Sequence, residues 1–495
     1  MDAKCILAYD VGTSGVKTVL IDLKGNVLAQ ATADYPIFTP SLGWAEQKPD
    51  DYWQAIIKST REALVLCDTA KGQVAALAFS TQSMGIIPID ERGDILYDNI
   101  TWVDGRATAQ AKMINDFVGA EMVGGKDVIC KLLWLKGERP DIYDKTKYFM
   151  DVNCYLRYKA TGLIKTELTG ASSYGLDIAN LTWNEEIYGA AGIGTGKFPQ
   201  LIKSTDLVGG LTREAAGALG LLEGTPVYGG CDDVQAAALG AGAMGEGDGH
   251  IYLGSSAWLC VTTENLFDMI VNGAATVKSA DPKKNVVVGV TQSAGMTVDH
   301  AVGMFYKNEN CSGNIFDRIS EEMGDIPPGS ENLIVTPWIF GEYCPITSEA
   351  VRMTMFNLTN MHTRAHIMKA IFEGIGYNLR WIKENYKRDF GIELSQLRVI
   401  GGGSNNDQWM QILADLMQVK IQTIEDMQYA GARGAAMCAL VGLGIYGNFD
   451  RAAELIKVKK EFVPKESNFD IYNKLFSEYK GLYSALKDSY ERVNA

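Results

Sequence analysis

Cys5-Ile6-Leu7-Ala8-Tyr9-Asp10-Val11-Gly12-Thr13-Ser14-Gly15-Val16-Lys17-Thr18-Val19-Leu20-Ile21-Asp22 opens the chain with two apolar, β-branched runs around a turn of Gly, Thr and Ser. Runs of that kind, split by short turn residues, predict a β-hairpin. A third strand, Val27 to Ala33, follows the Gly25-Asn26 turn. The same grammar recurs in mid-chain as His250-Ile251-Tyr252-Leu253, Gly254-Ser255-Ser256 and Ala257-Trp258-Leu259-Cys260-Val261-Thr262. Two such openings predict two similarly built halves, 1–246 and 247–495. The boundary falls in Gly242 to Gly249, a Gly-rich stretch without apolar periodicity.

Helices fit between the strands. Pro49-Asp50-Asp51 starts one, with proline in the first turn and acids at the positive end of the dipole. Trp53, Ile56, Ile57 and Leu64 mark its buried face. A second helix is expected from about His366 to Tyr386, and a third after the glycines at Gly401. The architecture is α/β, in two lobes with a cleft between them.

Composition narrows the function. The 495 residues exceed one ordinary core, and 47% hydrophobic against 21% charged residues excludes a disordered chain. A net charge of −14 argues against general affinity for nucleic acid or an anionic membrane. Any anion must be bound locally, by backbone amides, a cation or two, or a metal. No apolar run approaches the roughly 20 residues that span a bilayer. Nine scattered cysteines without a C-x-x-C pair, and only four histidines, argue against a structural zinc site. The chain reads as reduced, soluble and cytoplasmic.

Four stretches carry chemistry. In Asp10-x-Gly12-Thr13-Ser14-Gly15 the short side chains let amides and hydroxyls approach a phosphate. Asp10 suits a magnesium ion or its water shell, and Lys17 adds a positive charge. Alone, the stretch also reads as an ordinary tight hairpin. Paired with Gly254-Ser255-Ser256, it could grip a nucleotide's phosphates from both sides of a cleft. Gly229-Gly230-Cys231-Asp232-Asp233 precedes an Ala-rich helix, and a carboxylate there could cap the helix or take the proton from an attacking hydroxyl. Gly401-Gly402-Gly403-Ser404-Asn405-Asn406 could let a ring or ribose lie on bare backbone, or simply permit a close helix–strand crossing. Gln82-Ser83-Met84 and Trp102-Val103-Asp104-Gly105-Arg106 follow apolar strands. Trp102 offers an apolar plate, and Gln82, Asp104 and Arg106 offer a polyol-binding set. The alternative for Asp104 and Arg106 is a surface ion pair. His362 and His366 have the spacing of a metal pair but no third ligand nearby in sequence.

Taken in order, Asp10-Val11-Gly12-Thr13-Ser14-Gly15-Val16-Lys17, Gly43-Trp44-Ala45-Glu46-Gln47, Trp102-Val103-Asp104-Gly105-Arg106, Gly230-Cys231-Asp232-Asp233 and Gly401-Gly402-Gly403 resemble the FGGY carbohydrate kinases. Lys131-Leu132-Leu133-Trp134-Leu135-Lys136, Gly341-Glu342 and Glu373-Gly374 extend the match. The likeness covers essentially the whole chain and leans to the xylulokinase-like branch through Asp104-Gly105-Arg106. It implies the two-lobed actin/hexokinase-like, ribonuclease H-like ATPase fold, with sugar against the N-terminal lobe and ATP against the C-terminal lobe. It places Asp10, Gly12, Thr13, Ser14 and Lys17 near the transferred phosphate, and Gly254, Ser255 and Ser256 on the second phosphate loop. Gly402, Gly403 and Asn406 then lie beside adenosine, while Gln82, Ser83, Met84, Trp102, Asp104, Arg106 and Asp233 face the sugar. Magnesium is expected at Asp10 and Asp233 through water. Many relatives are dimers, so the resemblance admits a homodimer.

The family spacing also chooses between the two acids: Asp233, Ala236 and Gly240 keep it, which makes Asp233 the base and Asp232 its neighbour. An aspartate with its reference pKa near 3.9 is ionised at neutral pH, so the expectation is a base that needs aim more than activation. Departures from the xylulokinase pattern fall on the sugar side. Gln82-Ser83-Met84 stands where Gln-Met-His is usual, Cys154 where an Asp precedes Tyr-Leu, Met353 where a glycine follows Arg352, and Gly137 where a polar residue is usual. The reading is an ATP-dependent kinase for a small ketose or polyol. D-xylulose leads, and ribulose, gluconate or a pentitol are the alternatives. From another class, a nucleotide-gated chaperone or filament protein uses the same cleft, but has no need of a sugar pocket.

Overall fold

The computed structural model describes residues 4–69, 71–119, 123–267, 270–307 and 314–494. In the N-terminal half, strands β1 (Cys5–Val11), β2 (Gly15–Asp22) and β3 (Val27–Asp34) form an antiparallel meander. Helix α1 (Pro49–Leu66) begins at its proline with Asp50 and Asp51 in the first turn. It lies on β2 and β3, burying Trp53 and Ile56, with Ile57 and Leu64 half-buried beside them. Polar groups at this contact are matched, since Tyr9 shares a hydrogen bond with Thr60 (2.8 Å) and Thr18 with Ser59 (2.6 Å).

Strand β4 (Val74–Thr81) then pairs parallel to β1. Helices α2 (Val128–Glu138) and α3 (Val152–Thr161) follow, and the sheet is completed by β5 (Leu207–Gly210), β6 (Pro226–Tyr228) and β7 (Cys231–Asp232). The order is β5-β6-β4-β1-β2-β3, and β7 pairs with the last two residues of β4. That short pairing delivers Asp233, the first residue of α4 (Asp233–Ala241), beside the end of β1.

The second sheet repeats the plan. Strands β8 (Gly249–Leu253), β9 (Ala257–Thr263), β10 (Ala274–Lys278) and β11 (Asn285–Thr291) pair antiparallel, and helix α5 (Gly295–Phe305) follows. Helix α6 (Arg364–Phe390) starts earlier and ends later than its apolar periodicity suggests. Thr363 and His366 form a capping box at its start, and Gly391 terminates it at φ 68°. His366 is therefore committed to capping; among the described residues no group of three or more His, Cys, Asp or Glu could hold a metal. Strand β12 (Gln396–Ile400) pairs parallel to β8, and after a short 3-10 turn comes α7 (Asp407–Met417). Strand β13 (Lys420–Ile424), helix α8 (Ala430–Gly442) and strand β14 (Val458–Phe462) give the sheet order β10-β11-β9-β8-β12-β13-β14.

Each half lends the other a helix. The alanines of α8, with Leu440, bury against Ile6, Ala8, Val19, Ile21, Ala76 and Ala78 of the first sheet. Leu239 and the alanines of α4 bury with Ile400 and Ile424 of the second. The two helices cross backbone to backbone: a Cβ on Gly240 would run into the carbonyl of Ala430, and one on Gly434 into that of Ala236.

Candidate active site

The loop between β1 and β2 turns its carbonyls into the protein. The Gly12 carbonyl accepts the Tyr35 hydroxyl, Thr13 accepts Gln47 Nε2 (2.8 Å), Ser14 accepts the Tyr35 amide (3.1 Å) and Gly15 accepts the Gly12 amide (3.0 Å). With its acceptors occupied, the loop offers an incoming group donors, which is the polarity a phosphate needs. The loop between β8 and β9 is wired the same way. Ser255 O accepts the amides of Ala294 (2.9 Å) and Met296 (3.0 Å), and Gly254 O accepts that of Gly295 (2.9 Å), all from the start of α5. Ser255 itself is exposed.

Asp10 lies on β1 opposite Lys17 of β2 and Ser80 of β4, and Ser80 Oγ donates to its Oδ1 at 3.3 Å. Burial raises its carboxyl above the ordinary range, while Lys17 and the Ser80 hydrogen bond pull the other way. The first turn of α8 abuts it: a Cβ on Gly431 would sit 2.6 Å from Asp10 Cγ. Asp233 is half-buried at the start of α4, its Oδ1 accepting the Val234 amide at 2.8 Å. Burial, and next the charge of Asp10, push its pKa up to about 7. This corrects the expectation of an ordinary, fully ionised aspartate, because two acids brought together in a confined space cannot both ionise freely.

Asp232 points the other way. It is 3% exposed, its amide donates to Thr169 Oγ1 (2.8 Å), and burial with Glu167 and Asp151 nearby holds its carboxyl well above the ordinary range. Adjacent residues thus divide between a buried acid and a half-buried one.

The polyol set differs from expectation. Gln82 is 2% exposed, and its amide donates to Gln47 Oε1 (3.0 Å) and Tyr52 (3.3 Å). The side chains of Asp104 and Arg106 are both fully buried. Asp104 accepts the Ala45 amide (2.5 Å) and both Nε (2.9 Å) and Nη2 (2.7 Å) of Arg106. Arg106 also donates to Glu46 (2.7 Å), with its guanidinium 3.8 Å from the Trp44 ring and 4.8 Å from that of Trp134. These three residues do not line the cleft, and the pair is not a surface ion pair either. They form an inner layer that anchors the Gly43–Gln47 segment behind the β1–β2 loop. Of the expected sugar-side residues, Ser83 and Met84 are half-buried and Trp102 is 39% exposed, so these three are the accessible ones. Lys131 stands behind them, donating to the carbonyls of Met84 (3.1 Å) and Thr101 (2.8 Å), and burial lowers its pKa to about 7.

In the second half the glycine triplet divides. A Cβ on Gly401 (φ 87°) would lie 2.5 Å from Leu253 O, and one on Gly403 would lie 2.8 Å from the Trp409 ring, whereas Gly402 faces open space. Asn406 caps α7, accepting the Trp409 amide at 3.0 Å, while its Nδ2 donates to Ser320 Oγ at 2.9 Å. Its amide is committed to the protein rather than presented to a nucleoside.

Sequence reasoning missed Gly431, Tyr35 and the inward role of Gln47. The only signal for Gly431 is the small-residue run Ala430-Gly431-Ala432-Arg433-Gly434-Ala435-Ala436.

Two sheets of repeated plan, helices exchanged between them and a donor-rich loop in the first hairpin of each define a two-lobed phosphotransferase of the actin/hexokinase class. The chain belongs to the FGGY family of carbohydrate kinases, whose N-terminal domain matches residues 5–240 and whose C-terminal domain matches residues 249–443. It is a xylulokinase-like carbohydrate kinase, with ATP as the phosphoryl donor. It is 30% identical to the xylulose kinase of Bacillus subtilis (strain 168) over 495 residues, covering 98% of each chain. It is 25% identical to the gluconokinase of Bacillus licheniformis over 502 residues, covering 99% of this chain and 97% of that one. Among solved structures, a ligand-bound xylulose kinase from Lactobacillus acidophilus superposes with a TM-score of 0.91 at 24% identity, covering 99% of this chain and all of that one. Its fold is therefore shared. Among the described residues no helix is long and apolar enough to cross a membrane.

Proposed function

We propose that the chain phosphorylates D-xylulose to D-xylulose 5-phosphate with ATP. The observation that carries the reaction is the pairing of Asp233 with Asp10 beside the two donor-rich loops. Asp233 accepts the proton of the sugar's terminal hydroxyl as that oxygen forms its bond to the γ-phosphorus. The bond from the γ-phosphorus to the bridging oxygen breaks, and ADP leaves with the electron pair. Gly12, Thr13, Ser14 and Lys17 on one side, and Gly254, Ser255 and Ser256 on the other, hold the phosphates. Gly402 and Gly403 border the nucleoside, and Ser83, Met84 and Trp102 border the sugar.

Asp10 and Asp233 fit a magnesium ion held through water. The charge of Asp10 acts on Asp233, and Lys17, opposite Asp10 on the neighbouring strand, is the cation that acts on Asp10. The lack of a third His, Cys, Asp or Glu beside them, among the described residues, suits a hard cation that keeps waters and phosphate oxygens. Bound with ATP, magnesium supplies charge neutralisation to the transferred phosphoryl group.

Xylulose kinases among the relatives favour D-xylulose, and gluconate is the second candidate because gluconokinases stand there too. The test is ADP release with magnesium-ATP over a panel of D-xylulose, ribulose, gluconate and pentitols, with Asp233→Ala as control. Turnover greatest with D-xylulose and lost in the variant is expected. A higher kcat/KM for another sugar overturns the substrate, and sugar-independent ADP release overturns the reaction.

A further inference from the structure

Trp102 has an exposed face and a committed edge. The residue is 39% exposed, yet its indole Nε1 donates to Thr13 Oγ1 at 2.8 Å. An indole N–H is a donor only, so Thr13 is the acceptor in this bond and its own hydroxyl proton must point elsewhere. The other end of Thr13 is also fixed, because its carbonyl accepts Gln47 Nε2 at 2.8 Å. Pinned at both ends, Thr13 keeps one free donor, in a loop whose remaining groups are donors as well. Accepting a hydrogen bond also makes a hydroxyl a stronger donor.

The mount of the indole is firm. Immediately before it, the Thr101 amide and hydroxyl both donate to the Ala45 carbonyl at 3.0 Å, and the Thr101 carbonyl accepts Lys131 Nζ and the Asp104 amide. The aim of the ring is therefore set by buried structure rather than by the cleft.

We propose that Trp102 is a positioning residue for phosphoryl transfer: its indole N–H turns the Thr13 hydroxyl toward the transferred phosphoryl group, while its ring face forms the plate for the sugar. One side chain then serves both substrates, and a sugar resting on the ring also restrains the group that aims Thr13. The inference rests on the reading of the cleft as a sugar-kinase site.

Trp102→Phe separates the two roles, since phenylalanine keeps an apolar face and loses the N–H. The expected result is a kcat lower by about tenfold, the scale of one lost hydrogen bond, with the sugar KM within about twofold of wild type. Trp102→Ala should lower kcat similarly and raise the sugar KM as well. Thr13→Val should reproduce the kcat loss, and the double variant Trp102→Phe/Thr13→Val should be no slower than Thr13→Val alone, because both changes break one linkage. Thr13→Ser keeps a hydroxyl for the indole N–H and should therefore stay sensitive to Trp102→Phe, whereas Thr13→Val should not.

An unchanged kcat in Trp102→Phe, or losses that multiply in the double variant, would overturn the inference while leaving the kinase reading intact. A wild-type protein whose ADP release ignores every sugar would bring down the kinase reading, and this inference with it.

Discussion

Replacing Asp233 by asparagine separates what its carboxylate does from what it costs the fold. Burial and Asp10 raise this carboxyl from its ordinary 3.8 to about 7 in the folded protein. Between those values the folded chain holds a proton that the unfolded chain has released, so stability falls as pH rises through that window. Below about pH 4 the penalty vanishes, and above about pH 7 it is complete. Three units at about 1.4 kcal/mol each give an upper bound of about 4 kcal/mol. The opening of Asp233 to cleft water reduces this to about 2 kcal/mol. Asparagine keeps an Oδ1 to accept the Val234 amide, now at 2.8 Å, and carries no charge. Asp233→Asn should therefore melt about 2 °C above wild type at pH 8 without nucleotide, and indistinguishably from it at pH 4. Scanning calorimetry of both proteins at the two pH values reads this directly. Turnover should fall by at least about a hundredfold. A variant no more stable than wild type at pH 8, or a difference that ignores pH, would refute the assignment of Asp233 to a raised carboxyl.

Three further outcomes are expected. Gly431→Ala places a methyl 2.6 Å from Asp10 Cγ; ADP release should fall by about two orders of magnitude while the circular dichroism spectrum stays native, since alanine favours a helix. Lys131→Met strips the donor from the Met84 and Thr101 carbonyls, so steady-state kinetics should show a sugar KM about tenfold higher with the ATP KM within about twofold. Met84→His should shift relative kcat/KM across a sugar panel toward D-xylulose, and an unchanged ranking would show that this position does not read the sugar.

What could be read from sequence was local. The hairpins at 5–22 and 249–263 announce themselves through β-branched runs and Gly/Ser turns, and α1 through its proline and acids. Helix α8 has no such signature. Ten of its thirteen residues are buried, so no apolar stripe emerges from its alanines and glycines, and its partner α4 lies in the other half of the chain. The direction of the polar side chains was hidden for the same reason. Gln82, Asp104 and Arg106 sit next to cleft residues in sequence, but Gln47, Glu46 and Trp44, brought from an earlier segment, turn them inward. The pKa of Asp233 likewise depends on Asp10, which the pairing of β7 and β1 with β4 brings near.

The crossing of α4 and α8 sets where the chemistry can be kept constant. Gly431 of α8 abuts Asp10, and Gly434, one turn on, lies against Ala236, one turn after Asp233 on α4. Gly240 of α4 returns the contact against Ala430, so both acids are mounted at a junction with no side chain between the helices. A junction packed backbone to backbone has no slack for sliding, because every displacement runs into a carbonyl. Rotation of the two sheets about it moves distant groups most. Any rotation of one sheet against the other about this junction would therefore leave Asp10 and Asp233, which lie on it, closer to their starting relation than groups placed farther out on either sheet.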